Sequence, residues 1–325
     1  MFRRTMIAAG LAAALSLAIS APVAAQGYPN RVITMVVPFP PGGGVDAMGR
    51  LMADQLSKAL GQPVVVDNRV GAGGVVGTRT VAKAAPDGYT LLLGHSGTMA
   101  INPSLYANAG YDPRKDFTPI GAIATMPVAL IAHPSFAPNT VADVLNYIKK
   151  NPGKVNFGTS AVGTGSYMTA ELFKAASGVD MTLVPYRGTA ALMSDLLGGH
   201  VPVSFGVLPP ALGNLKAGKL RAIAVTGSQR FSLLPDVPTV AESGIPGFEA
   251  VLYYGVLAPA GTPREIVDRL NKALRAAVAT DIVKERINGE GGDPMTTTPE
   301  EHAKLIDSDE TKWGGLVRKL NLKVN

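Results

Sequence analysis

From Arg31 onward the chain alternates short β-branched runs with segments whose apolar residues recur every three or four positions. That is the pattern of an α/β protein. The runs at 31–39, 63–68 and 89–96 read as strands. Between the first two, Val45, Met48, Leu51, Met52, Leu56 and Leu60 share one helical face, which predicts a helix over 45–60. Further strands are expected at 154–160, 181–186 and 219–227, and helices at 140–152, 163–178, 262–280 and 299–320. Thr140 with Asp143 resembles a capping box, and Thr262 followed by Pro263 marks a helix start. Two longer apolar runs, 121–134 and 249–261, are where the chain is expected to cross between domains. The expected division is a discontinuous first domain (26–125 plus 246–325) and a second domain (126–245), with a ligand cleft between them.

The first 25 residues follow a different pattern. Arg3 and Arg4 precede an apolar stretch of about 15 residues, too short for comfortable membrane spanning, and Val23 and Ala25 supply the small residues of a cleavage site before Gln26. This predicts a signal peptide over 1–25 and an exported, soluble mature chain. The chain holds no cysteine, which excludes disulfides, thiolate metal sites, a cysteine nucleophile and a lipid anchor at the cleavage point. Removing Arg3 and Arg4 from the 30 basic residues leaves 28 against 24 acidic, a net +4. The charges are scattered and aromatics are only 6%, so no nucleic-acid partner is expected.

Candidate chemistry gathers where strands hand over to helices. "PFPPGGGVDAMGR" (38–50) separates the first strand from the first helix, and "NFGTSAVGTGSYMTAE" (156–171) repeats the design. Glycine lets a ligand approach the backbone, and the unpaired N–H groups of a helix N-terminus favour an anion. Two such loops on facing domains would grip one molecule from both sides, with Ser160, Thr164 and Ser166 adding hydroxyls. Asp46 either fixes its loop as a helix cap or contacts the ligand directly or through water. Arg187 in "PYRG" either clamps a carboxylate or forms a surface ion pair. Ser96 and Thr98, at the end of the third strand, could also donate hydrogen bonds. Of Tyr253 and Tyr254, one is expected to face the cleft and one the core.

Other motifs carry less. "GAGGVVG" (71–77) misses the dinucleotide spacing by one residue and lacks the downstream acid, so it reads as a turn, or as a third helix start beside the cleft. The four histidines, His95, His133, His200 and His302, show no metal-ligand spacing. No G-x-S-x-G elbow is present. No metal, cofactor or catalytic residue is expected.

Taken in order, "YPNRVITMVVPFPPGGGVD", "GQPVVVDNRVGAGGVVGT", "APDGYTLL", "NPSLY", "VPYRGTAALMSDLLGGHV", "AGKLRAIAVT", "LLPDVPTVAESGIPGFEA" and "LAPAGTP" span the mature chain. They resemble the Bug family, the extracytoplasmic receptors of tripartite tricarboxylate transporters. The resemblance implies a two-domain Venus-flytrap α/β fold, a periplasmic location, a monomer, capture of a small carboxylate and its delivery to a membrane permease. It also implies a ligand site at Phe39, Pro41, Gly42, Gly43 and Asp46 on one side and Ser160, Gly163 and Thr164 on the other. Ser96, Tyr167 and Arg187 complete the candidate set. The chain departs from the family where "PGGGVD" replaces "PGGSTD", and at Met99, Tyr167 and Pro202. Fewer hydroxyls make an aromatic or otherwise less polar carboxylate a reasonable ligand. The alternatives are an exported enzyme, with His95 or Asp46 as base, or a sensor subunit of the same fold.

Overall fold

The first strand, β1 (Ile33–Val37), is apolar on both faces, as a strand buried between helices must be. Ile33, Met35 and Val37 share a core with Met48, Met52 and Leu56 of α1 (Gly44–Leu60) and with Leu270 and Leu274 of the helix Arg264–Val278. Val36 on the opposite face packs with Val75 and Val81 of α2 (Val75–Ala82). The structure, a computed structural model, describes residues 27–324 except Gly43, Ala161 and Glu290. The expected signal peptide, with Arg3, Arg4, Val23 and Ala25, lies outside the described residues, as does Gly43.

Strand β1 pairs in parallel with β2 (Val64–Asn68) and β3 (Thr90–His95). A π-turn (Gly97–Ile101) and a short helix, α3 (Asn102–Leu105), follow β3. The long strand β4 (Phe117–Ala132) leads through α4 (Val141–Lys150), β5 (Asn156–Thr159), α5 (Gly165–Ser177), β6 (Thr182–Pro185), α6 (Thr189–Leu197), β7 (Val203–Val207), α7 (Pro209–Lys216) and β8 (Arg221–Val225). The chain returns by β9 (Val251–Pro259) to α8 (Arg264–Val278), α9 (Asp281–Gly289), the short β10 (Asp293–Pro294), α10 (Pro299–Asp309), a second π-turn (Glu310–Gly314) and α11 (Gly315–Lys319).

Strand β4 joins two ladders. Through Pro127 it pairs antiparallel with β9, which in turn pairs with β3. From Val128 it pairs with β7, and from Ala129 with β8. Beyond β7 lie β5 and β6, both parallel to their neighbours. Two α/β lobes therefore share one strand. The second lobe has an aromatic core, with Phe173 5.1 Å from Phe205 and 6.0 Å from Phe248. At the junction stands Thr226, which is fully buried. Its hydroxyl accepts the Val128 N–H at 3.0 Å and lies 2.7 Å from the carbonyls of both Val128 and Ala250.

Several local expectations change in the fold. The run 249–261 forms β9, whose ladders are with β3 and β4. Its one backbone bond to the end of β8 is from the Ala250 N–H to the Thr226 carbonyl. Thr262 does not cap α8. Its hydroxyl donates to the Pro259 carbonyl at 2.8 Å, closing the preceding turn, and Pro263 occupies the cap position. The helix expected over 299–320 is interrupted by the π-turn, which seats the fully buried Trp313. Thr140 and Asp143 do form a capping box.

Candidate functional site: a cleft between two strand-to-helix loops

The first loop runs from the end of β1 into α1, and a carboxylate beneath it sets its shape. Asp46 Oδ2 accepts the Gly42 N–H and Arg50 Nε–H, each at 2.9 Å, and Oδ1 accepts from Asn68 Nδ2 at 2.8 Å. Asn68 Nδ2 also donates to the Phe39 carbonyl at 3.0 Å, tying the loop to the end of β2. Burial pushes the Asp46 carboxyl up, but the bonds from Arg50, Gly42 and Asn68 outweigh it and hold its pKa at about 2. Gly42 has φ 84°, a left-handed conformation that few other residues adopt.

The second loop, from β5 into α5, is held by neutral groups. The Ser160 N–H donates to Ser166 Oγ at 3.1 Å, and the Ser160 and Thr164 hydroxyls share a bond of 2.9 Å. Ser166 Oγ donates in turn to the Phe205 carbonyl. Thr164 caps α5 by accepting the Tyr167 N–H at 3.4 Å. Gly163 is also left-handed, at φ 81°. A third helix start approaches from α2: the Gly73 carbonyl accepts from Asn102 Nδ2 at 2.9 Å.

These loops face one another across a cleft with two connected parts. The outer chamber, about 680 Å³, is walled by Phe39, Pro41, Gly42 and Val45 on one side and by Ser160, Thr164, Ser166 and Arg187 on the other. The inner chamber, about 300 Å³, shares Phe39, Val45, Gly73, Thr164 and Gly165 with it and continues past Gly163 to His95, Tyr106, Leu252 and Tyr254. N-terminal ends of α1 and α5 border the same space, so backbone N–H groups and helix dipoles favour an anion there. Arg187 is exposed on the outer wall, with no ion-pair or hydrogen-bond partner among the described residues.

Of the residues expected from sequence, Phe39, Pro41, Gly42, Ser160, Gly163, Thr164 and Arg187 thus come to the cleft wall. Asp46 does not. It is 3% exposed beneath its loop, and borders an open surface groove between α1 and α9 instead. Ser96 is fully buried and its hydroxyl accepts the Tyr253 N–H at 3.0 Å, because the π-turn aims it at β9. Tyr167 packs half-buried against the second lobe's core, and burial with the neighbouring Glu171 pushes its phenol up to about 12. Tyr253 is buried in the core while Tyr254 lines the inner chamber, the alternation expected of a strand.

Behind Ser96 lies a buried polar cluster. Burial pushes the Asp309 carboxyl up to about 6, a shift opposed by Ser96, Lys312 and Trp313 and reinforced by Glu249. Burial alone pushes the His302 imidazole down to about 3. Among the described residues no three carboxylate or imidazole side chains are arranged to hold a metal ion.

Sequence reasoning missed Asn68 and gave no ligand role to the inner wall of His95, Tyr106, Val162 and Leu252. Asn68 ends a β-branched run, the one positional hint available for its strap to the first loop.

Comparisons with known proteins point to one family. The family description "Tripartite tricarboxylate transporter family receptor" matches residues 48–322. Protein BugT of Bordetella pertussis is 38% identical over 307 residues, covering 94% of each chain. The solved structure of R. palustris Rpa4515 with adipate is 37% identical, covers 90% of this chain and 97% of that one, and superimposes with a TM-score of 0.80. MatC from Rhodopseudomonas palustris with bound malate is 35% identical, covers 89% and 100%, and gives a TM-score of 0.77.

Proposed function

The chain belongs to the tripartite tricarboxylate transporter receptor family, and from that premise we propose that it captures a small carboxylate in the cleft and hands it to a membrane permease. The observation that carries the reading is the opposition of the two loops. Phe39, Pro41, Gly42 and Val45 face Ser160, Thr164 and Ser166 across one chamber, and both loops lead into helix N-termini. Such a site offers backbone donors to a carboxylate without bringing a side-chain carboxylate to the wall, since Asp46 is held beneath its loop. Arg187 gives the outer chamber a cation. The adipate and malate bound by the two relatives fit this chemistry.

The same reading takes residues 1–25 as an export signal and the mature protein as periplasmic and monomeric, since one chain supplies both walls of the cleft. It assigns the two lobes to 26–125 plus 246–325 and to 126–245. Ligand closes the lobes, and the closed form docks the permease.

The test is calorimetric titration and thermal shift of the purified protein with adipate, malate, citrate and benzoate. Binding of at least one, with a rise in melting temperature and the ligand recovered unchanged, is expected. Turnover of the bound carboxylate would replace the receptor reading with an enzymatic one. No binding by any member of the panel would end the carboxylate reading.

A further inference from the structure

The inner chamber is lined mostly by apolar groups, and a donor buried beside it, His95 Nε2, has no partner among the described residues. His95 stands at the end of β3, its ring centroid 4.9 Å from that of Phe39 and 6.0 Å from that of Tyr254. Its Nδ1 accepts the Gly97 N–H at 2.8 Å, a bond made by the π-turn. A neutral imidazole that accepts at Nδ1 must carry its proton on Nε2. Burial holds the ring in that neutral form, with its pKa pushed down to about 4. Nε2 has no contact with solvent and no hydrogen-bond partner among the described residues, although His95 itself borders the chamber.

A buried N–H without a partner is unfavourable, and such groups are few in native proteins. Phe39, Val162, Leu252 and the ring of Tyr254 line the space without charge; Tyr106 and Thr164 add hydroxyls, and the Asn102 amide is engaged with the Gly73 carbonyl. The chamber opens at Thr164 and Gly165 onto the space between the two loops.

We propose that His95 Nε2–H is the specificity donor of the inner chamber: it binds an acceptor oxygen at the end of the ligand remote from the carboxylate held between the loops. This rests on the carboxylate reading above and deepens it. The ligand class is a carboxylate with a short apolar body and a distal oxygen acceptor, either a second carboxylate or a neutral carbonyl. The π-turn matters because it puts the Gly97 N–H on Nδ1 and so turns the other nitrogen into the donor. Ser96, the neighbouring hydroxyl, faces the opposite way toward Tyr253.

The test compares unbranched C4 to C8 dicarboxylates, their monoamides and the matching monocarboxylates by calorimetry. For at least one chain length, wild-type protein should prefer the dicarboxylate or the monoamide to the monocarboxylate by about 10- to 100-fold, the range of one hydrogen bond to a charged or polar acceptor. A preference for the dicarboxylate alone identifies the acceptor as a carboxylate, and equal preference for the monoamide identifies a carbonyl. His95→Phe should erase the preference while monocarboxylate affinity stays within a few-fold, and His95→Gln should restore part of it. If His95→Phe keeps the preference, the proposal falls and the carboxylate reading stands. If no compound binds wild type, both fall. Independently of any ligand and of how the variants fold, nitrogen-15 NMR of wild type should show the Nε2–H tautomer of His95. An Nδ1–H tautomer would overturn the proposal.

Discussion

Beneath the first loop of the cleft lies a carboxylate with three donors converging on it, while the second loop is tied by serine and threonine hydroxyls alone. The backbones are otherwise alike. Each runs from a strand into a helix N-terminus and each turns on one left-handed glycine, Gly42 or Gly163. The difference lies in what each glycine has around it. A Cβ on Gly42 would meet nothing within 4 Å, whereas one on Gly163 would stand 2.1 Å from Leu105 Cδ2, at the end of the short helix α3. The first loop is therefore a charged unit braced by its own network, and the second is a neutral unit fitted through Gly163 against α3.

The largest test of that contrast is Asp46→Ala. It leaves the Gly42 N–H, the Asn68 amide and Arg50 without their shared acceptor. Loss of such a buried, charge-linked anchor is expected to lower unfolding stability by about 3 kcal/mol in urea and to abolish measurable carboxylate binding. Full retention of binding would show that the first loop holds its shape without Asp46.

Neither loop should titrate near neutrality. The Asp46 pKa is depressed to about 2, so its stabilising contribution is complete above the ordinary value near 3.8 and is lost as pH falls through about 2. The second loop has no ionisable group in its network. Between pH 4 and 7 three buried groups contribute: Asp309, with its pKa raised to about 6, favours the folded state as pH falls, while the His95 and His302 imidazoles, pushed down to about 4 and about 3, disfavour it as pH falls below their ordinary value near 6.5. The charged form of Asp309 costs stability above about 6, and the cost vanishes below the ordinary value near 3.8. Asp309→Asn should therefore stabilise at pH 7.5 by about 2–3 kcal/mol and have no effect at pH 3.5, read from urea midpoints at the two pH values. Equal effects at both would remove Asp309 from that role.

Gly163→Ala should act at the second loop. The methyl group must displace Leu105 and accept a strained φ, a cost of about 1–2 kcal/mol. Ligand affinity should fall about tenfold, and urea unfolding should lose about 1 kcal/mol to the strained φ. The smallest effect is expected for Thr164→Val, which removes the α5 cap and the bond to Ser160. About 1 kcal/mol of stability should go, measured by thermal melts, with the first loop's amide NMR signals unmoved.

The sequence showed the parts of this arrangement that depend on local pattern. The strand-loop-helix handovers at 38–50 and 156–171 were legible because apolar periodicity changes across glycine and proline. The capping box at Thr140 was legible because its two partners, Thr140 and Asp143, stand only three positions apart. Long-range geometry was hidden. Nothing local says that Asn68 will strap the Phe39 carbonyl, or that the π-turn will send Ser96 to β9 and leave His95 at the chamber. The short strand β7 and helices α6 and α7 were also missed. Val203–Val207 is five residues long, and Pro209 and Pro210 open a helix only eight residues long, too little for periodicity to declare itself.

Thr226 ties the outgoing strand to the returning chain. Its hydroxyl has one proton and two carbonyls within 2.7 Å, one on the outgoing strand at Val128 and one at the returning Ala250. With one proton and two acceptors, the hydroxyl can donate to either strand, so the tie between the outgoing and returning strands does not depend on a single hydroxyl orientation.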